Sequence, residues 1–307
     1  MSSLVFLEFS KGKIKDFSKQ SITVANQLGS SVLGITDSKD YNYLDSLGEF
    51  GLDKVYSISN LDIVDSYIDI IKTEGIKTFI LSNSNRSKYI SSLLSIKLDI
   101  PVVPNILSVP SINNNIKMKS SIFSGKADVD ISVKSDSCIF IINKNIIGFK
   151  SFNKKVELVK CDVENKETEF EIIKKNKIEG DILLSEADIV VSAGRGLKGP
   201  QNWKMIEDLA KKLGAATACS KPVSDAGWRP HHEHVGQTGI KVSPNLYFAI
   251  GISGAIQHLA GVNSSKTIVV INNDPEAPFF KAANYGIVGD AFVVIPKLIT
   301  ALKNFKN

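Results

Sequence analysis

The chain has 307 residues, of which 43% are hydrophobic and 22% charged, and its formal net charge is +5. This length allows two ordinary domains, and no stretch reaches the ~20 apolar residues that a membrane span needs. Only three arginines occur and no basic run is interleaved with aromatic residues, which argues against nucleic-acid binding. Three widely spaced cysteines argue against a disulfide framework or a cysteine metal site and favour a reducing compartment.

The first half of the chain alternates strand-like and helix-like segments. Strands are predicted at 4–9, 31–35, 54–58 and 77–81, and helices at 16–28, 61–71 and 86–98. This rhythm predicts a parallel sheet with crossover helices. Short alternating segments at 116–127, 130–135 and 137–149 predict β-hairpins added to one edge. The polar loop 82–87 could cradle a phosphate, but a capped loop is the simpler interpretation.

A lysine- and glutamate-rich segment with weak periodicity, 150–180, separates the two halves. We therefore expect an N-terminal α/β domain over residues 1–180 that serves as a subunit scaffold. Residues 181–307 are expected to form a C-terminal, Rossmann-like α/β domain.

This second half carries a dinucleotide-binding pattern. A predicted buried strand at 187–192 leads into Gly194-Arg195-Gly196-Leu197-Lys198-Gly199, which satisfies G-x-G-x-x-G, and a predicted helix then begins at Pro200. The next predicted strand, 215–219, ends in Ser220 and Lys221, where an ordinary NAD site has an acidic residue. A cation there argues against an ordinary NAD site but is compatible with an anionic cofactor.

The centre of this half is the stretch 246–261. An apolar strand at 246–250 is broken by Gly251 and Gly254, and a helix is predicted from Ala255 to Leu259. Backbone N–H groups and the helix dipole at such a bend suit an anion such as a pyrophosphate. The alternative is a tight turn in which His258 is merely a satisfied core histidine.

Further strands are predicted at 266–272 and 291–295. Polar or glycine-rich residues then stand at five predicted strand tips: 194–199, Ser220-Lys221, 253–258, Asn272 and Asp290. Because ligands of open α/β sheets bind beyond the carboxyl ends of the strands, these tips predict one long ligand.

The motifs of the second half resemble those of the α subunit of electron transfer flavoprotein. The matching stretches are 194–198, 225–227, 235–239, 246–261, 272–278 and 285–288. The first half is similar only in its fold rhythm and at 122–125. The resemblance implies an electron carrier without substrate chemistry of its own, a heterodimer with a β subunit, and one FAD in the C-terminal domain. It also implies electron transport in fatty acid β-oxidation, from flavoprotein dehydrogenases such as acyl-CoA dehydrogenases to a membrane quinone oxidoreductase. A cytoplasmic location without direct membrane insertion is expected.

The resemblance also implies a set of FAD-binding residues and no catalytic or metal-binding residue. In chain order the set is Arg195, Ser220, Lys221, Val235, Gly236, Gln237, Thr238, Ser253, Gly254, Ala255, Ile256, Gln257, His258, Asn272, Asp290 and Ala291. Residues 235–238 would line the flavin, 253–258 would hold the pyrophosphate, ribityl chain and pyrimidine edge, and Asn272 and Asp290 would hold the adenosine half.

Three features depart from the family pattern. Lys221 stands where an arginine is usual, and Ala291 stands where a leucine is common. The cluster His231-His232-Glu233-His234 is also unlike the pattern. Its composition resembles metal ligands, but a solvated loop near the flavin edge is the preferred interpretation because adjacent residues rarely converge on one ion.

Two other functions stay open at the level of sequence. A self-contained FAD- or NAD-dependent oxidoreductase would need a proton-transfer residue, for which only His258 qualifies. A nucleotide-binding regulatory module would need no redox chemistry.

Overall fold

The computed structural model describes residues 2–10, 12–29, 31–113, 115–123, 127–161, 182–184 and 187–305. The chain divides into two compact units, Met1–Ile173 and Lys174–Asn307, each with its own sheet and hydrophobic core. The boundary predicted near residue 180 lies outside the described residues and stays a prediction. None of the helices in the described ranges is both long and apolar enough to span a bilayer.

In its described residues, the N-terminal unit contains twelve strands and four α-helices. The strands are β1 (Ser2–Phe6), β2 (Phe9–Ser10), β3 (Lys13–Ile14), β4 (Ser31–Thr36), β5 (Lys54–Ser57), β6 (Ile76–Ser82), β7 (Val102–Ile106), β8 (Ser111–Ile112), β9 (Ile116–Ile122), β10 (Ala127–Val133), β11 (Cys138–Ile142) and β12 (Glu157–Lys160). The helices are α1 (Asp16–Gln27), α2 (Tyr41–Asp45), α3 (Ile68–Thr73) and α4 (Asn85–Leu98).

The main sheet of this unit has the order β10-β9-β7-β11-β6-β1-β4-β5-β12, and β8 pairs with β9. The strands from β7 to β12 along this order are parallel, which confirms the predicted α/β class. The antiparallel pair β9 and β10 forms the hairpin predicted at one edge. The chain leaves β1 towards β4 and returns to β6 on the other side, so β1 and β6 flank a topological switch point.

Two predictions for this unit are wrong in detail. The segment 137–149 is not an added hairpin, because β11 lies between β6 and β7, parallel to both and fully buried. Its continuous apolar run is the pattern of a central parallel strand. The helix predicted at 61–71 is instead a 3₁₀ turn at Val64–Ser66 followed by α3.

Over residues 182–184 and 187–305, the C-terminal unit has five strands and four α-helices. The strands are β13 (Ile189–Ala193), β14 (Ala216–Cys219), β15 (Leu246–Ile250), β16 (Ile268–Asn272) and β17 (Tyr285–Val288). The helices are α5 (Lys204–Leu213), α6 (Lys221–Asp225), α7 (Ile256–Leu259) and α8 (Ala291–Phe305). All pairs are parallel in the order β14-β13-β15-β16-β17, so the switch point lies between β13 and β15.

Helices and loops divide the two faces of this sheet between them. Buried residues of α5 and α8, among them Ile206 and Ile295, form one core with the sheet. Tyr247, Val262 and Phe279 belong to the core on the other face, where loops and the short α7 replace long helices. The face without long helices leaves space at the carboxyl ends of the strands.

The last strand was predicted at the wrong residues. The segment 291–295 begins α8, and the last strand is β17, at residues where no strand was predicted. A short apolar run fits a buried strand and a buried helix equally well, so periodicity did not distinguish them. The Asp290 carboxylate accepts a hydrogen bond from the Phe292 N–H at 2.9 Å, which caps the first turn of α8.

Candidate cofactor site

A cavity of about 470 Å³ opens at the carboxyl ends of β13 and β15, at the switch point of the C-terminal sheet. Most of the predicted cofactor residues line it: Arg195, Ser220, Lys221, Val235, Gly236, Gln237, Thr238, Ser253, Ala255, Gln257 and His258. Pro222, His234, Gly251 and Ile252 line it as well, without having been predicted. Gly254, Ile256, Asn272, Asp290 and Ala291 are not part of the lining, and the role of every predicted residue towards FAD stays a prediction.

The first two glycines of the G-x-G-x-x-G motif pack one backbone loop against another. A Cβ on Gly194 would lie 2.3 Å from the Gly251 carbonyl oxygen, and one on Gly196 would lie 2.6 Å from the Gly251 Cα. The Gly196 N–H donates to the Gly251 carbonyl at 3.1 Å. These glycines therefore join the loops after β13 and β15. The motif continues through two 3₁₀ turns, one of them starting at Pro200, and α5 begins only at Lys204.

The loop after β15 presents backbone donors to the cavity. Within the described chain, the N–H groups of Ser253, Gly254 and Ala255 donate no hydrogen bond to the protein. Gly254 has φ +87°, and a Cβ there would lie 2.4 Å from the Phe279 nitrogen, so the bend requires glycine. Ser253 and Ala255 are exposed and Gly254 is buried, so water reaches this bend, and an anion that displaces the water can accept hydrogen bonds from these donors. The predicted helix is a single turn, α7, whose dipole contributes little.

The charges around the cavity are positive. Arg195 and Lys221 line it and are solvent-exposed, and in the described part of the chain neither forms an ion pair. No carboxylate is among the lining residues given above. Arg229, the third arginine of the chain, is paired with carboxylates outside this lining. It donates to Glu233 at 2.9 and 2.5 Å and to Glu207 at 2.8 Å.

His258 is buried in the cavity wall. Its Nε2 lies 2.9 Å from the Tyr247 hydroxyl, and its ring meets the Phe279 ring edge-on at 5.7 Å. Burial, and next the neighbouring His234, lower the pKa of His258 to about 4, although a backbone contact with Val235 favours the charged ring. Nδ1 makes no hydrogen bond of good geometry among the described residues. The ring of His258 is therefore neutral at neutral pH in this chain.

The histidine cluster is only partly a solvated loop. His231 and His232 are exposed, whereas Glu233 and His234 are buried and His234 lines the cavity. The Arg229–Glu233 pair fastens the 3₁₀ turn His231–Glu233, which explains why the expected solvation is wrong for its second half. In the described ranges no three histidine, cysteine or acidic side chains converge as metal ligands would.

The remaining predicted residues lie along the same edge of the sheet or beside the cavity. The Asn272 amide donates to the Ile252 carbonyl at 3.0 Å and accepts from the Asp274 N–H at 3.1 Å. Asp290 caps α8, Ala291 packs in the core, and Ile256 is exposed. Because Asn272 is the last residue of β16 and Asp290 comes shortly after β17, they extend the edge that begins at the cavity.

Known proteins resemble this chain over both units. The family model "Electron transfer flavoprotein domain" matches residues 3–165, and "Electron transfer flavoprotein FAD-binding domain" matches residues 183–263. The electron transfer flavoprotein subunit alpha of Syntrophomonas wolfei is 32% identical over 312 residues, covering 97% of this chain and 98% of that protein. The corresponding subunit of Bacillus subtilis is 32% identical over 316 residues, covering 98% and 97%. That of Thermoanaerobacterium thermosaccharolyticum is 56% identical over 123 residues, covering 40% and 37%.

Proposed function

The chain belongs to the electron transfer flavoprotein family as an alpha subunit with its FAD-binding domain, and on that premise we propose that one FAD occupies the β13/β15 cavity. The observation that carries this placement is the set of unpaired donors there. Among the described residues, three consecutive backbone N–H groups donate no hydrogen bond, two cations form no ion pair, and the cavity lining contains no carboxylate. The residues present therefore fit an anionic cofactor with a pyrophosphate.

Different backbone and side-chain groups of the site hold different parts of this cofactor in the proposal. The N–H groups at 253–255 bind the pyrophosphate, and residues 235–238 line the flavin ring. His258 would be able to donate from Nδ1 to an acceptor of the flavin if Tyr247 donates to Nε2, because that tautomer leaves the ring hydrogen on Nδ1. Adjacent parallel strands are ~4.8 Å apart, so Asn272, Asp290 and Ala291, which lie along the same edge, would hold the adenosine half.

Bound FAD supplies one-electron chemistry, which none of the lining side chains offers by itself. The protein holds the ring and sets its potential through Arg195, Lys221 and His258. We propose that flavoprotein dehydrogenases, acyl-CoA dehydrogenases among them, donate the electrons and that a membrane quinone oxidoreductase accepts them. The proposed setting is fatty acid β-oxidation in the cytoplasm.

A β subunit is the proposed partner in a heterodimer, and strand β17 supports this. Parallel sheets are normally covered on both faces, yet the exposed fractions of Tyr285, Ile287 and Val288 are 68%, 42% and 60%. Val288→Lys places a charge on this strand and should lower the yield of heterodimer at least tenfold. Ile96→Lys, at an exposed apolar residue of α4, is the matched control and should leave the yield unchanged. Equal yields for both variants would remove β17 from the interface.

The proposal is tested by co-expressing the chain with its β subunit and recording the visible spectrum. A stoichiometric flavin spectrum that Arg195→Ala weakens supports the proposed site. A colourless complex contradicts it and favours a regulatory module. Substrate turnover without any partner protein favours a self-contained oxidoreductase.

A further inference from the structure

His234 is held in place by its neighbours on both sides. The preceding turn is fastened through Glu233 to Arg229, and the Val235 N–H donates to the Cys219 carbonyl at the end of β14 at 3.0 Å. The His234 carbonyl accepts from the Ile240 N–H at 2.8 Å. The backbone of His234 is therefore fixed where β14 ends at the cavity.

The imidazole of His234 is buried, with 2% of the residue exposed, and its Nδ1 has no hydrogen-bond partner among the described residues. Two glycines make room for the ring. A Cβ on Gly239 would lie 2.7 Å from Nδ1, and one on Gly236 would lie 3.3 Å from Nε2. Leaving a buried polar atom unpaired costs about 1–3 kcal/mol, so the unpaired Nδ1 of His234 is a candidate for proton transfer or ligand binding.

Charged and titratable groups face this ring from three elements. His231 of the preceding turn stacks on it with ring centroids 5.7 Å apart, Lys221 and Asp225 belong to α6, and His258 belongs to α7. Burial lowers the pKa of His234, and so do His231 and Lys221, whereas Asp225 raises it. In the flavin-free protein the His234 ring therefore favours the neutral form, in which one ring nitrogen is unprotonated and can take up a proton.

We propose that His234 is a second residue that tunes the bound flavin, and that it takes up a proton when an electron enters the site. This inference rests on the proposed function. The donor protein, or dithionite in a test, loses one electron and the site gains it. One proton from solvent then forms an N–H bond on His234, so that the net charge of the site is unchanged and no covalent bond breaks. The exposed His231, stacked on His234, lies on the solvent side of this transfer.

The experiment uses the FAD-loaded heterodimer and two matched variants. His234→Gln keeps a hydrogen-bonding side chain but cannot titrate, and His232→Gln changes an exposed histidine of the same turn that does not line the cavity. The potential for the first electron is measured between about pH 5.5 and about pH 8, where histidines titrate. The slope of potential against pH should fall by at least half in His234→Gln and stay unchanged in His232→Gln. An unchanged slope in a flavin-loaded His234→Gln protein overturns the inference.

A second measurement covers the case in which His234→Gln fails to fold or to retain FAD. The chain has four histidines, so ¹⁵N-histidine NMR of the wild-type complex resolves them individually. Assignment rests on variants of the other three. The His234 ring should become protonated on reduction at a pH where it is neutral in the oxidised protein. A ring whose titration is the same in both redox states overturns the inference, whereas a wild-type complex without flavin contradicts the proposed function instead.

Discussion

The two sheets share a switch-point topology but treat the crevice there in opposite ways. In the N-terminal sheet, the carboxyl ends of β1 and β6 meet around Glu8, whose carboxylate accepts hydrogen bonds from Ser82, Ser84 and Ser87 at 2.7, 2.6 and 3.0 Å. This carboxylate lies beside Ser84, the N-cap of α4. The chain's own anion thus occupies the position where a ligand would otherwise meet the helix N-terminus.

In the C-terminal sheet the corresponding crevice between β13 and β15 is lined without any carboxylate. Its backbone donors at 253–255, its two cations and two buried ring nitrogens have no partners among the described residues. Topology therefore tells where a ligand can bind, but the satisfaction of polar groups decides whether one is needed. The N-terminal crevice is saturated from within, and the C-terminal crevice is not.

The largest effect on this difference is expected from adding a side chain at Gly254, in the bend of the C-terminal crevice. Gly254→Ala forces a positive φ on a residue with a Cβ and pushes that Cβ to 2.4 Å from the Phe279 nitrogen. Backbone strain alone costs about 1–3 kcal/mol, and the collision adds to it. We expect loss of bound FAD and a lower melting temperature of the C-terminal unit, measured by flavin absorbance and calorimetry.

Gly214→Ala is the control for this substitution. Gly214 also has a positive φ, +66°, but no atom lies within 4 Å of the position of its added Cβ. It should lower the melting temperature slightly and leave FAD bound. If Gly254→Ala behaves in the same way, the close approach to Phe279 has no part in shaping the site.

The next largest expected effect is on the pH dependence of the stability of the flavin-free protein. Because the pKa of His258 is about 4 in the folded chain and about 6.5 unfolded, the unfolded state binds the proton more readily. Stability of the flavin-free protein should therefore be full above about pH 6.5 and fall as the pH drops towards 4, by on the order of 3 kcal/mol. His258→Gln should flatten this fall in denaturant titrations. A pH profile that this substitution leaves unchanged would show that burial of His258 does not govern it.

The N-terminal crevice provides a smaller and opposite test. Glu8→Gln removes the charge that three hydroxyls share, which should destabilise the N-terminal unit by about 1–2 kcal/mol. Because that crevice is predicted to need no ligand, FAD content should be unchanged. Glu49→Gln, at an exposed residue, is the control for the loss of one negative charge. Denaturant titration and flavin absorbance separate the two effects, and a Glu8→Gln protein that loses FAD would contradict the assignment of separate roles.

The sequence predicted the elements whose pattern was local and missed those that depended on tertiary pairing. The glycine loop at 194–199 and the strand at 246–250 could be identified because glycine and an apolar run leave a direct signal. Strand β11 was missed because only its neighbours β6 and β7 reveal that it lies at the centre of the sheet. His234 was missed because its burial depends on side-chain contacts that form only in the folded chain, the Arg229–Glu233 pair beside it and the close approach of Gly239. Its one sequence signal was the unusual histidine cluster.

The smallest expected effect is at Lys221, which lines the cavity, begins α6 and is solvent-exposed. Arginine offers a planar fork of donors, whereas lysine is a compact, strongly hydrated charge on a flexible stem. Lys221→Arg should therefore raise the potential for the first electron slightly, by the equivalent of about 1 kcal/mol or less. Lys221→Ala should lower the potential more than it weakens FAD binding, since the charge of the lysine acts on the added electron.

Potentiometric titrations at several pH values, with Lys241→Ala as an exposed control outside the cavity lining, measure the effects of both Lys221 variants. If wild type and both Lys221 variants give the same potential, Lys221 faces solvent and only begins its helix, and the positive charge of the crevice is due to Arg195.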